Sequence, residues 1–314
     1  MATVVQYSEF GSPDVLQVVE VPKPAVPADG LLIDVKAVGV NPIEWKLRSG
    51  IRPSAPITEP RRLGSDAAGV VSEVGADVDG WAVGDEVVVR GGNGAYASQL
   101  VVTPDQITRK PEAVDFQQAA AIGVPVGTAY QALKSLGVTE GTTLLIHGGS
   151  GAVGQAAIQF AKDWGAIVIA TGGENSQLRL RELGAIPVVY GPGLTDRVRA
   201  VAPEGIDLVL DAVGTDEALE TSFELVPDRS NIGTIVVGAR AAELGIKAWS
   251  GGNPIPLTEQ EQAWRVEAVD AVADLVSRGG FHFQIGTVYP LAQAADAHRE
   301  SENGHPQGKI ILVP

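Results

Sequence analysis

No cysteine occurs among the 314 residues of the chain, which excludes disulfides, thiolate nucleophiles and any zinc site built on sulfur. Long apolar runs are missing too, and nothing approaches the roughly 18 residues that span a bilayer. The opening residues MATVVQYSEFGSPD hold no basic segment followed by an apolar one, so a soluble, cytoplasmic protein with no membrane partner is expected. Positive charge is scarce. The chain has 23 Lys and Arg against 38 Asp and Glu, a net charge of −15, and such a surface repels polyanions, so nucleic acid is not an expected partner.

What is present is enough apolar residue, 45%, for a sizeable core and more than one domain. Residues 1–117 are rich in Val, Gly and Pro, and their short β-like runs at 31–38, 69–74, 86–89 and 99–102 predict a mostly β domain. Beyond about 116 the texture changes. Apolar runs at 143–147, 166–170, 187–190, 206–211 and 234–237 alternate with helical stretches at 152–164, 176–183, 194–201 and 216–225. Alternation of this kind predicts a parallel sheet covered on both faces. A helix at 259–277 and a tail with β-like ends at 286–289 and 309–313 around a helical 291–300 complete the chain. The expected division is 1–117 with 265–314 as one domain and 118–264 as the other.

The segment GGSGAVG at 148–154 sets Gly149, Gly151 and Gly154 in the G-x-G-x-x-G spacing, after the apolar TLLIH and before a helical run. That context marks a dinucleotide loop, in which backbone N–H groups approach a pyrophosphate at a helix N-terminus. Ser150, Gly151, Ala152 and Val153 are the expected donors. About 20 residues on, an acid would accept the ribose 2′-hydroxyl of NAD, but this chain has Gly172 and Gly173, with Glu174 slightly beyond and Arg179 as the next cation. Nothing there repels a 2′-phosphate, so NADPH is expected over NADH.

Ordered segments along nearly the whole chain resemble the zinc-independent, zeta-crystallin-like quinone oxidoreductases of the medium-chain dehydrogenase/reductase superfamily. They are FGSPDVL at 10–16, GVNPIEWKLRSG at 39–50, LGSDAAGVVSEVG at 63–75, VGDEV at 83–87, GAYAS at 94–98, GTAYQAL at 127–133, LDAVG at 210–214, IVVGA at 235–239 and GKIILVP at 308–314. The resemblance implies an α/β protein, a Rossmann-type doubly wound parallel sheet plus a GroES-like mostly β domain, with the cofactor between them and a homodimer as the assembly. Its zinc-dependent relatives place a cysteine where this chain has Asn41 and a histidine-glutamate pair where it has Ser65 and Asp66. Neither Asn41 nor Ser65 is a good zinc ligand, so no metal is expected, and the histidines at 147, 282, 298 and 305 have no ligand spacing.

Carried over residue by residue, the resemblance implies Gly173, Ser176 and Tyr190 at the adenosine end, Thr128, Val236, Val237, Gly238 and Ala239 near the nicotinamide, and Lys309 on the pyrophosphate. For Tyr190 the alternative is a tyrosine packed at the sheet edge, and for Lys309 an ordinary exposed lysine. Asn41 either hydrogen-bonds the nicotinamide carboxamide or a substrate carbonyl, or starts an Asn-Pro turn. Lys46 stands where relatives carry a tyrosine; it would stabilise or protonate a reduced carbonyl oxygen, or lie solvated on the surface. Arg48 would hold its loop or meet substrate. The expected function is NADPH-dependent reduction of quinones or α,β-unsaturated carbonyls. An alkenal or enone double-bond reductase and a non-catalytic NADPH-binding protein are the alternatives.

Overall fold

The computed structural model describes residues 1–304 and 308–314; His305 lies outside them. The chain divides into two compact units, Met1–Val124 with Phe283–Pro314, and Pro125–His282.

The first unit is built on β1 (Ala2–Tyr7), β2 (Gln17–Val21), β3 (Leu31–Gly39), α1 (Pro42–Ser49), β4 (Arg61–Arg62), β5 (Asp66–Val74), β6 (Glu86–Val89), β7 (Gln99–Val102), β8 (Ile107–Arg109) and the short α2 (Phe116–Ala119). β3 and β5 are apolar at most positions and buried along most of their length, so they form the centre of a sheet ordered β15-β16-β3-β5-β6-β8, with β7 also pairing to β3. β15 (Ile285–Pro290) and β16 (Lys309–Val313) come from the chain's end, with α10 (Ala294–Glu302) between them. β1, β2 and β4 make a separate small sheet. Val5, Ile33, Val38, Val71, Val87, Tyr96, Leu291 and Leu312 belong to one core cluster, the expected outcome of burying one apolar face per strand.

The second unit begins within α3 (Gly123–Leu136) and runs β9 (Thr143–His147), α4 (Ala152–Asp163), β10 (Ile167–Gly172), α5 (Gln177–Glu182), β11 (Ile186–Val189), α6 (Leu194–Val201), β12 (Leu208–Asp211), α7 (Asp216–Leu225), β13 (Ile232–Thr234), α8 (Ala241–Leu244), β14 (Lys247–Ala248) and α9 (Glu259–Ser277). Its six strands are all parallel, in the order β11-β10-β9-β12-β13-β14. This is the 3-2-1-4-5-6 order of a doubly wound dinucleotide fold, whose order reverses between β9 and β12, at the carboxyl ends where such folds bind ligands.

Two boundaries differ from the expectation. α9 lies wholly in the second unit, where residues from 265 on had been assigned to the first. The cause is side-chain bonding to α3: Tyr130 donates to Glu267 at 2.5 Å, Ser135 to Glu261 at 3.3 Å and Arg265 to Gln131 at 3.2 Å. The apolar run at 234–237 is not a strand; β13 ends at Thr234 for a reason given below. Among the described residues no helix is long and apolar enough to cross a membrane.

Candidate functional site

β9 turns into α4 through the glycine-rich loop. Gly148 takes φ 76°, a left-handed conformation that glycine adopts without cost. A Cβ on Gly149 would lie 2.8 Å from Ala170 Cβ, and one on Gly154 would run into the Gly148 carbonyl, so both glycines serve the close packing of strand and helix. Gly151 is different. It caps α4 with φ −72° and ψ 164°, a conformation open to any residue, and a Cβ there would meet nothing nearer than 3.5 Å. Its exposed side is an open cradle at the helix N-terminus. Gly151 offers no side chain to the first-turn N–H groups, which an α-helix leaves without internal partners. Donors and positive dipole end therefore suit the pyrophosphate of a dinucleotide; Ser150, Ala152 and Val153 lie at this end together with Gly151, whose own N–H donates to the Gly148 carbonyl at 3.2 Å.

At the end of β10, a Cβ on Gly172 would lie 2.5 Å from Ser176 Oγ and 2.9 Å from Leu180 Cδ1. A side chain there would require Ser176 and Leu180 to shift. Ser176 Oγ donates to the Gly173 carbonyl at 2.8 Å, which ties the following turn down. The Tyr190 ring stands beside Gly173, 52% exposed, so it presents a face rather than packing away at the sheet edge. Arg179, the nearest cation by sequence, bonds Gln155 Oε1 at 3.2 Å and the His282 carbonyl at 3.1 Å.

The ends of β12 and β13 are clasped by side chains. Buried Asp211 accepts from the Val213 and Gly214 N–H groups at 3.1 and 2.8 Å through Oδ1, and from the Thr234 hydroxyl at 2.7 Å through Oδ2. Thr234 Oγ1 in turn accepts from the Val236 and Val237 N–H groups at 3.1 and 3.2 Å. Those two amides therefore bond a side chain instead of a neighbouring strand, which is why β13 stops. Gly238 follows with no space for a side chain against the Ser250 carbonyl, and Ala239 N–H donates to the Gly251 carbonyl at 3.1 Å. His147, at the end of β9, lies 3.4 Å from Thr171 Oγ1 through Nδ1. Burial pulls its pKa down to about 4 despite neighbouring Asp211, so it is neutral at pH 7. Thr128 is buried on α3.

In the first unit, Asn41, Glu44, Asp66 and Lys309 form a buried cluster, each at most 4% exposed. Asn41 is the N-cap of α1 and Glu44 its third helical residue, a capping box with Pro42 in the first turn. Lys309 Nζ donates to Asn41 Oδ1 at 2.5 Å and lies 3.4 Å from Asp66 Oδ2; Asn41 Nδ2 donates to the same carboxylate at 2.9 Å. Asp66 also accepts from the Val124 N–H at 2.9 Å. Burial raises the pKa of Glu44 to about 7 and that of Asp66 above its usual range, with the Lys309 charge opposing both shifts. The lysine reaches this place because Gly39 has no side chain, since a Cβ there would lie 2.7 Å from Lys309 Cε.

This geometry bears on two expectations. Lys309 is not an ordinary exposed lysine, because Asn41 and Asp66 take up its ammonium inside the first unit. Asn41 is more than a turn initiator, since its Oδ1 accepts from Lys309 and its Nδ2 donates to Asp66. Lys46 is half-buried on α1, its Nζ 5.6 Å from the Trp45 ring centroid, with its pKa lowered by burial and by neighbouring Arg52. Arg48 holds its loop. It pairs with Glu302 and donates to the Gly11 carbonyl. Sequence reasoning missed Glu44, whose signal was the Asn-Pro-x-Glu capping spacing. It also missed Tyr96 and His298, which no local pattern marks.

The chain is similar to known proteins along its whole length. Residues 27–112 match the alcohol dehydrogenase GroES-like domain family and 183–312 the zinc-binding dehydrogenase family. Among the described residues, however, no group of three His, Cys, Asp or Glu is placed to hold a metal ion. A human quinone oxidoreductase is 32% identical over 98% of this chain and 97% of its own. Quinone oxidoreductase 1 of Escherichia coli K12 is 32% identical over all of both chains. The structure of an E. coli quinone oxidoreductase complexed with NADPH superposes with a TM-score of 0.84 at 27% identity, covering 99% of this chain and 100% of that one. The chain belongs to the quinone oxidoreductase family of the medium-chain dehydrogenase/reductases.

Proposed function

We propose that the protein reduces quinones and related α,β-unsaturated carbonyl compounds with NADPH and without a metal ion. The observation that carries this reading is Gly151, a glycine the chain's own packing does not require, at the N-terminus of α4 where a dinucleotide fold receives a pyrophosphate. Bound NADPH would supply the hydride. Ser150, Gly151, Ala152 and Val153 hold the pyrophosphate; Gly173, Ser176 and Tyr190 line the adenosine end; Thr128 and Val236 to Ala239 face the nicotinamide. NADPH is favoured because glycines, not an acid, stand at 172 and 173, and an E. coli relative is known with NADPH bound.

Lys46 is the polar group proposed to meet the substrate oxygen. Its lowered pKa makes the ammonium a readier proton donor than an ordinary lysine. Asn41, which stands where zinc-dependent relatives carry a cysteine, acts by holding Lys309 against Asp66. A homodimer in the cytoplasm is the proposed setting, supported by the family resemblance.

The test is oxidation of NADPH and of NADH with 1,4-benzoquinone and with a simple enone. NADPH is expected to be used at least tenfold better in kcat/KM, with the quinone as an acceptor. Better use of NADH would overturn the cofactor reading, turnover of the enone alone would make the protein a double-bond reductase, and consumption of neither cofactor would leave a binding protein.

A further inference from the structure

Behind Asn41 the hydrogen bonds continue across the first unit. Tyr96 Oη lies 3.0 Å from Glu44 Oε2 and 3.2 Å from His298 Nε2, and Glu44, Tyr96 and His298 are all buried. A tyrosine hydroxyl has one proton, so Tyr96 donates either to Glu44 or to His298. Each choice fixes the other groups. With Glu44 ionised, Tyr96 donates to the carboxylate and His298 Nε2–H donates to the tyrosine oxygen. With Glu44 protonated, its hydroxyl donates to Tyr96, which donates to a bare Nε2, and the imidazole proton moves to Nδ1. Every partner along the row is satisfied in both arrangements except His298 Nδ1, which is buried with no hydrogen-bond partner.

We propose that Glu44, Tyr96 and His298 form a one-proton switch, and that Glu44, through its carboxylate, positions Asn41 and Lys309 for the reaction. Glu44 grips Asn41 twice, accepting from its backbone N–H at 2.5 Å and lying 3.3 Å from its amide nitrogen; it also accepts from the Ser65 N–H at 3.2 Å. Ionised, it draws Asn41 and Lys309 with charge-assisted bonds. Protonated, it leaves Asp66 as the one carboxylate facing the ammonium. The charged and titratable groups around the switch are Asp66 and Lys309 at the Glu44 end, and at the His298 end Arg48, whose charge is paired with Glu302. Glu44 titrates at about pH 7, so both arrangements are populated near neutrality. His298, neutral down to about pH 3, remains a relay and never a cation in that range.

The switch itself does not depend on the proposed reaction, although its consequence for turnover does. Carbon-13 NMR of glutamate carboxyls and nitrogen-15 NMR of histidine rings, on the whole chain without cofactor, would follow it directly. One carboxyl should titrate near pH 7 and disappear in Glu44→Gln, while the His298 ring changes tautomer with the same midpoint. Tyr96→Phe removes a donor to the carboxylate, so it should raise the midpoint by roughly half a pH unit or more. A Glu44 carboxyl titrating in the ordinary range, a midpoint indifferent to Tyr96→Phe, or a silent His298 would each sink the switch; wild type and Tyr96→Phe decide this even if Glu44→Gln fails to fold. For positioning, the pH profile of kcat with NADPH and quinone should bend at the NMR midpoint and move with it in Tyr96→Phe. A bend that ignores the midpoint overturns the positioning role. No NADPH consumption at any pH overturns the proposed reaction and, with it, that role, while the NMR result still decides the switch.

Discussion

Gly151 and Gly154 share a loop but are glycine for opposite reasons, and one substitution at each separates binding from folding. Gly154 sits where any Cβ would strike the Gly148 carbonyl, so Gly154→Ala should destabilise the second unit by several kcal/mol, as overpacking against backbone does (about 1–3 kcal/mol or more). Gly151 has both the space and the extended conformation of a helix cap. Asp is among the best N-cap residues and favours the dipole, so Gly151→Asp should leave stability unchanged or raise it by about 0.5–1 kcal/mol. The same carboxylate stands where the pyrophosphate belongs, so NADPH affinity should fall at least 100-fold. Thermal melting and cofactor titration on one sample would check both signs; a Gly151→Asp protein that still binds NADPH well would remove the loop from the site. The spacing of these glycines was readable from sequence because it is local. The buried cluster was not, since Lys309 and Asn41 are 268 positions apart and only the pairing of β16 with β3 brings them together.

At the scale of elements, apolar runs such as TLLIH were legible as strands because a parallel sheet covered on both faces demands continuous burial, and β9 and β12 are indeed buried almost throughout. α3 was not read as a helix, because Gly123, Pro125 and Gly127 all disfavour one. The structure accommodates them: Pro125 falls in the first turn, where its missing N–H costs nothing, and Gly127 lies against the α9 backbone, 3.4 Å from the Arg265 carbonyl for an added Cβ. The run TIVV at 234–237 was misread as a strand for the converse reason. Its apolar residues fit a strand, but Thr234 takes two of its amides. Thr234→Val keeps the shape, removes the hydroxyl and leaves the Val236 and Val237 N–H groups and one Asp211 oxygen without that partner. A loss of roughly 2 kcal/mol follows from unsatisfied buried groups, along with weaker NADPH binding, and Thr234→Ser should restore most of both. Urea denaturation of the two variants would measure it; equal losses in Thr234→Val and Thr234→Ser would mean that the methyl, not the hydroxyl, matters.

For the molecule as a whole, the buried ionisable groups make the two units respond differently to acid. In the second unit, His147 has its pKa lowered from 6.5 to about 4. Between those values the unfolded chain binds a proton that the folded unit refuses, so stability falls as pH falls, by about 1.4 kcal/mol per pH unit and about 3 kcal/mol across the window. In the first unit, His298 behaves in the same sense, its pKa lowered from 6.5 to about 3. Glu44 opposes it. Its pKa is raised from 4.5 to about 7, so on acidification the folded unit takes up a proton before the unfolded chain does, and stability is gained between pH 7 and 4.5. One proton refused and one proton welcomed cancel between about pH 6.5 and 4.5, and Asp66, whose pKa is also raised, adds to the gain. Calorimetry from pH 7 to 5, with each transition assigned by hydrogen exchange of that unit's amides, should therefore show the second unit's transition moving down while the first unit's holds. Glu44→Gln removes the compensation, because an amide cannot take up the proton, and the first unit's transition should then descend with acid as His298 alone dictates. If both transitions descend together in wild type, or if Glu44→Gln leaves the first unit's acid response unchanged, then Glu44 is not the group that offsets His298.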